Sequence, residues 1–294
     1  MSISVNDFPV KTFNFPAGEC HVNLLPEIVT PKTVIKAILH NANDIMALLL
    51  TVDAIARILP TVSIELIIPY FPYARQDRVC NQGEALSVKV MADLINSLKC
   101  DRIMIIDPHS DVTPALLNNC QVITQADILV KSELAKTLQE ENWVLIAPDA
   151  GEQKKTMEVA KRLGLSDVFC GSKIRDTKTG KILATTFHDD VKGRKVLIVD
   201  DICDGGRTFI ELAKVLQKKE AQEIALYVTH GIFSQGLLPL RPYFSQIYCY
   251  HTMLSLEEQD TNFLTILPRI LRENLPSTLE DKSKKVSRIE DLEA

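Results

Sequence analysis

Five short apolar runs limit what this chain can fold into: ELIIP at 65–69, RIMIID at 102–107, WVLIAP at 143–148, KVLIVD at 195–200 and EIALYVT at 223–229. They are short, bounded by polar residues, rich in Ile and Val, and lack polar alternation. That is the pattern of parallel strands covered on both faces. Between them lie stretches with apolar residues at helical spacing: 85–98 (Leu86, Val90, Leu94, Ile95, Leu98), 153–163 and 208–217. Strand alternating with helix predicts an α/β fold of mostly parallel sheets flanked by helices. Two such units are expected, 1–140 and 141–294, with no strong repeat and no flexible linker between them. With 294 residues and 46% hydrophobic content the chain can bury a full core. The longest apolar run, 45–52, stops at Asp53, well short of a membrane span. The charged tail after Pro276 is expected to be solvated.

The polar residues fall where these strands should end. Arg75-Gln76-Asp77-Arg78, Asp107-Pro108-His109, Asp149-Ala150-Gly151 and Asp200-Asp201 each follow an apolar run. Ligands of open α/β sheets bind at the carboxyl ends of the strands. A single polar strand end is a turn, whereas four predict a site. The sharpest segment is VLIVDDICDGGRTF at 196–209. A strand runs into Asp200 and Asp201, then Asp204, Gly205 and Gly206, and a helix is expected from about Thr208. Glycines let backbone N–H groups close on an anion, and a helix N-terminus adds its positive end. Thr208 would cap that helix or bond a phosphate oxygen. The bland reading is a strand–turn–helix using Asp as a turn residue. It is not a Walker A loop, because the required Gly-Lys-Ser/Thr ending is absent.

The remaining features mostly exclude. A net charge of −5 with no basic block argues against a nucleic-acid partner. No segment predicts a membrane association, and the first residues lack the layout of a signal peptide. Seven cysteines are scattered without a C-x-x-C pair, which predicts reduced thiols and a cytoplasmic protein. His21, His40, His188, His230 and His251 carry no motif and are expected to be structural or exposed.

The 196–209 segment resembles the 5-phosphate and ribose motif of the type I phosphoribosyltransferase fold. PYFPYARQDR at 69–78, DPH at 107–109, APDAG at 147–151 and FPAGE at 15–19 narrow the resemblance to the ribose-phosphate pyrophosphokinase family, over roughly residues 15–230. The resemblance implies two similar domains of that fold, ATP and a ribose-phosphate as substrates, and Mg²⁺ as cofactor. A homo-oligomer, dimer or hexamer, is also implied. Arg75 and Gln76 would hold ATP, with Asp77 and Arg78 in the same loop, and Phe15 and Glu19 would contact adenine from a neighbouring subunit. His109 and Asp149 would meet the Mg²⁺–ATP assembly. Asp200, Asp201 and Asp204 would bind sugar hydroxyls, and Gly205, Gly206, Arg207 and Thr208 the phosphosugar. Lys173 and Arg175, in SKIR at 172–175, match the family's KxR loop and would stabilise the transferring group.

The chain departs from the family at several points. The phosphate loop reads DGGRT where the family usually has DTxGT, Ala17 stands where Asn or Asp is usual, and no arginine-rich stretch follows Glu19. The last departure predicts weak activation by inorganic phosphate. The glycine pair and Arg207 leave a second acceptor open, ADP-ribose, as in NAD salvage, beside ribose 5-phosphate. A phosphoribosyltransferase that consumes the activated sugar would need neither YARQDR nor the KxR loop. A non-catalytic regulatory homologue need not keep Lys173, Arg175, His109 and Asp149 together.

Overall fold

The computed structural model describes residues 2–175 and 182–268; for 173–175 and 182–184 it describes the backbone alone. The charged tail after Pro276 and the side chains of Lys173 and Arg175 lie outside the described residues. The first half opens with β1 (Ile3–Val5) and β2 (Phe8–Pro9), followed by a separate antiparallel hairpin of β3 (Lys11–Asn14) and β4 (Cys20–Asn23). It continues with β5 (Lys32–Ala37), β6 (Ser63–Ile68), β7 (Arg102–Ile106) and β8 (Cys120–Ile123). The sheet order is β2-β1-β5-β6-β7-β8; β5 to β8 run parallel, β1 lies antiparallel to β5, and β2 forms the edge antiparallel to β1. Its helices are α1 (Ala42–Ile58), α2 (Ser87–Ser97), α3 (Val112–Leu116), α4 (Gln125–Val130) and α5 (Leu134–Glu140).

The apolar run at 45–52 lies within α1, which continues past Asp53 to Ile58. Asp53 is exposed on the helix surface and accepts from Arg57 Nε at 2.7 Å, one turn on. The buried face is Ala47, Leu48, Thr51, Val52 and Ile55, at helical spacing. Asn41 starts the helix by accepting from the backbone N–H groups of Asn43 and Asp44.

The second half contains β9 (Val144–Ala147), α6 (Gln153–Leu163), β10 (Val168–Cys170), an antiparallel ribbon of β11 (Ser172–Arg175) and β12 (Ile182–Thr186), and β13 (Lys195–Cys203). α7 (Arg207–Lys218), β14 (Glu223–Gly231), β15 (Gln246–Thr252) and β16 (Leu264–Ile266) follow. Its sheet, β10-β9-β13-β14-β15-β16, is parallel throughout. Val196, Leu197, Ile198 and Val199 are fully buried on successive, opposite faces, which is why KVLIVD shows no alternation. Each such side chain contributes about 1.5–3 kcal/mol of burial.

One apolar cluster bridges the two sheets. Ile106, Ile123 and Leu129 of the first half pack with Leu145, Val159, Leu197 and Tyr227 of the second. This shared core brings the carboxyl ends of β7 and β13 together.

Candidate active site

The strand ends meet across the seam. β7 ends at Ile106, and the chain turns at Asp107, whose backbone has φ +39°. β13 carries Asp200 and Asp201 near its end. His109 Nδ1 lies 2.7 Å from Asp201 Oδ2, so DPH of the first half and the acidic pair of the second form one surface. With Nδ1 engaged, only Nε2 of His109 is left for another ligand. The bond to Asp201 raises the His109 pKa, outweighing its partial burial. Asp201 is deeply buried, which alone would raise its pKa, yet His109 and Lys155 hold it down at about 2. Asp201 is therefore a permanent anion at neutral pH.

The acidic cluster is larger than the sequence motifs. Glu152, the residue before α6, places a carboxylate oxygen within 4.8 Å of oxygens of Asp200 and Asp201. Burial and the neighbouring Asp201 raise Glu152 to about 7, and the same two causes raise Asp200. Glu152 Oε2 is buried without a hydrogen-bond partner. Lys155 of α6 enters this cluster: its Nζ lies 3.2 Å from Asp107 Oδ1, 3.0 Å from the Pro108 carbonyl and 3.9 Å from Asp201 Oδ2. Asp107 is also held by Thr229 Oγ1 at 2.5 Å, and Gln125 Nε2 donates to the Asp200 carbonyl at 2.7 Å. His230 is buried, with Nε2 2.9 Å from the Ile106 carbonyl, in line with a structural role.

Two loops flank the cluster. Arg75 Nη1 donates to Asp204 Oδ2 at 3.0 Å, tying the 75–78 loop to the 204–208 loop. The Ser234 side chain, then Arg75, holds Asp204 below its usual pKa. Arg75, Gln76 and Arg78 line an open cleft of about 390 Å³ with Cys80 and Glu84, and Asp77 lies 3.7 Å from Arg78 Nε. Gly206 stands at the N-cap of α7 with φ +75°, and a Cβ there would lie 2.8 Å from Leu240 Cδ2. That geometry requires glycine. Gly205 is roomier, since an added Cβ meets nothing nearer than 3.7 Å. The expected cap role of Thr208 is corrected: the helix starts at Arg207, so Thr208 lies inside its first turn. Arg207 is exposed on that turn.

Other predicted residues lie apart or in less detail. Asp149 follows β9, and its Oδ1 accepts from Gly151 N–H at 2.9 Å. Phe15 and Glu19 are exposed at the turn of the β3–β4 hairpin, where Phe15 packs on Phe13 and His21. Among the described residues no hydrogen bond or ring contact joins them to the 75–78, 107–109 or 200–208 loops. The backbones of Lys173 and Arg175 lie in β11, paired with β12. Glu152, Lys155, Gln125 and Thr229 were not singled out from the sequence. The only signal was their closeness to a motif: Glu152 follows Asp149-Ala150-Gly151 directly.

Residues 2–98 match a family model described as the N-terminal domain of ribose phosphate pyrophosphokinase, and residues 115–247 match the phosphoribosyl transferase domain. The ribose-phosphate pyrophosphokinase of Campylobacter jejuni is 32% identical over 237 residues, covering 80% of this chain and 74% of that protein. The chain belongs to the ribose-phosphate pyrophosphokinase family. Its Pyrococcus furiosus relative is 30% identical over 78% of this chain and 80% of its own length. The crystal structure of phosphoribosylpyrophosphate synthetase from Mycobacterium smegmatis superposes with a TM-score of 0.75, covering 88% of this chain and 85% of that one at 23% identity. The resemblance seen in YARQDR, DPH and DDICDGGRT thus holds, and the ribose-phosphate pyrophosphokinase fold is that of two type I phosphoribosyltransferase-like domains. Membership in this diphosphotransferase family makes the chain an enzyme by descent. No described helix is long and apolar enough to cross a membrane.

Proposed function

We propose that the protein transfers the diphosphoryl group of ATP to the anomeric hydroxyl of ribose 5-phosphate. The anomeric oxygen attacks the β-phosphorus and releases its proton to solvent, the bond from that phosphorus to the α-phosphate oxygen breaks, and AMP leaves with the bonding electron pair. The observation that carries this reading is the coupling of the two sides: His109 bonds Asp201 at 2.7 Å and Arg75 bonds Asp204 at 3.0 Å. A nucleotide-side loop and a sugar-side loop are thereby held as neighbours, as direct transfer between two substrates requires.

In this reading Asp200, Asp201 and Asp204 accept bonds from the ribose hydroxyls. The 5-phosphate sits on the 205–208 loop, at the N-terminus of α7, where backbone N–H groups and the helix dipole favour an anion. Arg75 and Gln76, with Asp77 and Arg78 in the same loop, take the nucleotide, Arg75 beside its phosphates. Phe15 and Glu19 reach the adenine of a neighbouring copy, a role suited to an exposed aromatic hairpin. Lys173 and Arg175 stabilise charge developing on the transferring group.

The donor set fits Mg²⁺, a hard cation that prefers oxygen ligands. The buried oxygen of Glu152 without a hydrogen bond, beside Asp200 and Asp201, supports a site there, and His109 and Asp149 take the Mg²⁺–ATP side by the family resemblance. When bound, the ion neutralises phosphate charge. The chain's own residues orient the sugar hydroxyl in line with the leaving group.

The test is phosphorus NMR of a reaction containing ATP, Mg²⁺ and either ribose 5-phosphate or ADP-ribose. AMP and a new sugar diphosphate are expected with ribose 5-phosphate. ADP as the sole nucleotide product would refute the reading. Turnover with ADP-ribose alone would transfer the proposal to that acceptor, for which Arg207 and the roomy Gly205 are the residues to vary.

A further inference from the structure

Lys155 completes a closed ring of contacts across the seam between the two sheets. From α6 its Nζ reaches the Pro108 carbonyl at 3.0 Å and Asp107 Oδ1 at 3.2 Å, both on the turn after β7. His109, the next residue of that turn, returns across the seam to Asp201 Oδ2 at 2.7 Å, and that oxygen lies 3.9 Å from Lys155 Nζ. The turn itself is strained, since Asp107 is a non-glycine residue at φ +39°. Such a conformation persists only where its surroundings over-determine it. Here the determinants are the Asp107 N–H to the Ile123 carbonyl at 2.8 Å, Thr229 on Asp107 Oδ2, and Lys155 on both Asp107 Oδ1 and the following carbonyl.

We propose that Lys155 is a positioning residue: it holds the 107–109 turn of the first half against Asp201 of the second, and so sets the spacing between the nucleotide-side His109 and the sugar-side carboxylates. This rests on the function proposed above. Two features of the contacts favour positioning over simple stabilisation. Lys155 binds a main-chain carbonyl of the strained turn, so its loss releases the turn rather than merely leaving a charge unpaired. Among the described residues it makes no contact with the 75–78 or 204–208 loops, and its nearest approach to a sugar-side carboxylate is 3.9 Å, to Asp201, so its loss leaves those two loops in place while the turn shifts.

The experiment compares wild type, Lys155→Met and Lys155→Arg, each shown by circular dichroism to be folded at the assay temperature. Amide hydrogen exchange is followed on a peptide spanning 105–112, and AMP formation from ATP and ribose 5-phosphate is measured in steady state. In Lys155→Met we expect exchange in that peptide to rise by about tenfold or more, as a local opening would give. We expect kcat to fall by about 10²-fold, the scale of a 1 Å misplacement, with both KM values within about threefold of wild type. Lys155→Arg, which keeps a cation and several donors, should recover much of both effects. Unchanged exchange in Lys155→Met overturns the proposal, whatever reaction the wild type performs. Faster exchange with unaltered kcat also overturns it, because Lys155 would then only stabilise the fold. If the wild type makes no AMP with ribose 5-phosphate, the proposed reaction fails separately, and the exchange result still decides whether Lys155 holds the turn.

Discussion

Replacing Glu152 by Gln should stabilise the protein in alkaline buffer and leave it almost unaffected in acid. Glu152 is only 8% exposed beside Asp200 and Asp201, and its pKa rises from 4.5 to about 7, first through burial and next through the charge of Asp201. The folded state therefore holds a proton that the unfolded state has released between those two values. Stability from this group is highest below pH 4.5, falls as pH rises towards 7, and is constant above that. A shift of this size corresponds to roughly 3 kcal/mol at about 1.4 kcal/mol per pKa unit. Because the carboxylates share their protons, that is an upper figure for the set rather than for Glu152 alone. The glutamine is isosteric, needs no ionisation, and gains an N–H₂ donor for Asp200 or Asp201. For a chain of this size a gain of 2–3 kcal/mol raises Tm by about 4–10 °C. The assay is thermal unfolding of both proteins from pH 4 to pH 8.5 with EDTA present. The expected difference is near zero at pH 4 and complete by pH 8. A constant difference across that range, or a less stable glutamine variant at pH 8, would refute the electrostatic reasoning.

Gly206→Ala should cost about 1–3 kcal/mol, since alanine is strained at φ +75° and its Cβ meets Leu240 at 2.8 Å. An unchanged urea midpoint would show that the loop relaxes freely. Lys173→Ala and Arg175→Ala should each lower kcat by about 10²–10³ with little change in ATP binding, as expected for groups that stabilise transition-state charge. Near-normal turnover in both variants, measured beside ATP titration, would remove the role proposed for the β11 segment.

The sequence by itself determined five of the strands, β6, β7, β9, β13 and β14, and the reason is local. A strand buried on both faces must be apolar at every position, so RIMIID, WVLIAP and KVLIVD could be read without knowing their neighbours. It also determined the family, because YARQDR, DPH and the acidic pair are contiguous chemistry. It was less informative where one residue had to be read against a partner distant in sequence. Asp53 ends the apolar run, but only the structure shows it as an exposed position inside α1, paired with Arg57. Thr208 looked like a cap, but Gly206 takes that place because the turn needs a left-handed residue. Glu152 and Lys155 carried no motif and were not singled out, with Lys154 an equal candidate beside them. Only the packing of Ile106 and Ile123 against Leu145 and Leu197 carries that helix to the turn after β7, where Lys155 meets Asp107 and Asp201. The meaning of a charged side chain depends on the dielectric and the partners around it, and both are set by the tertiary contact between the two sheets.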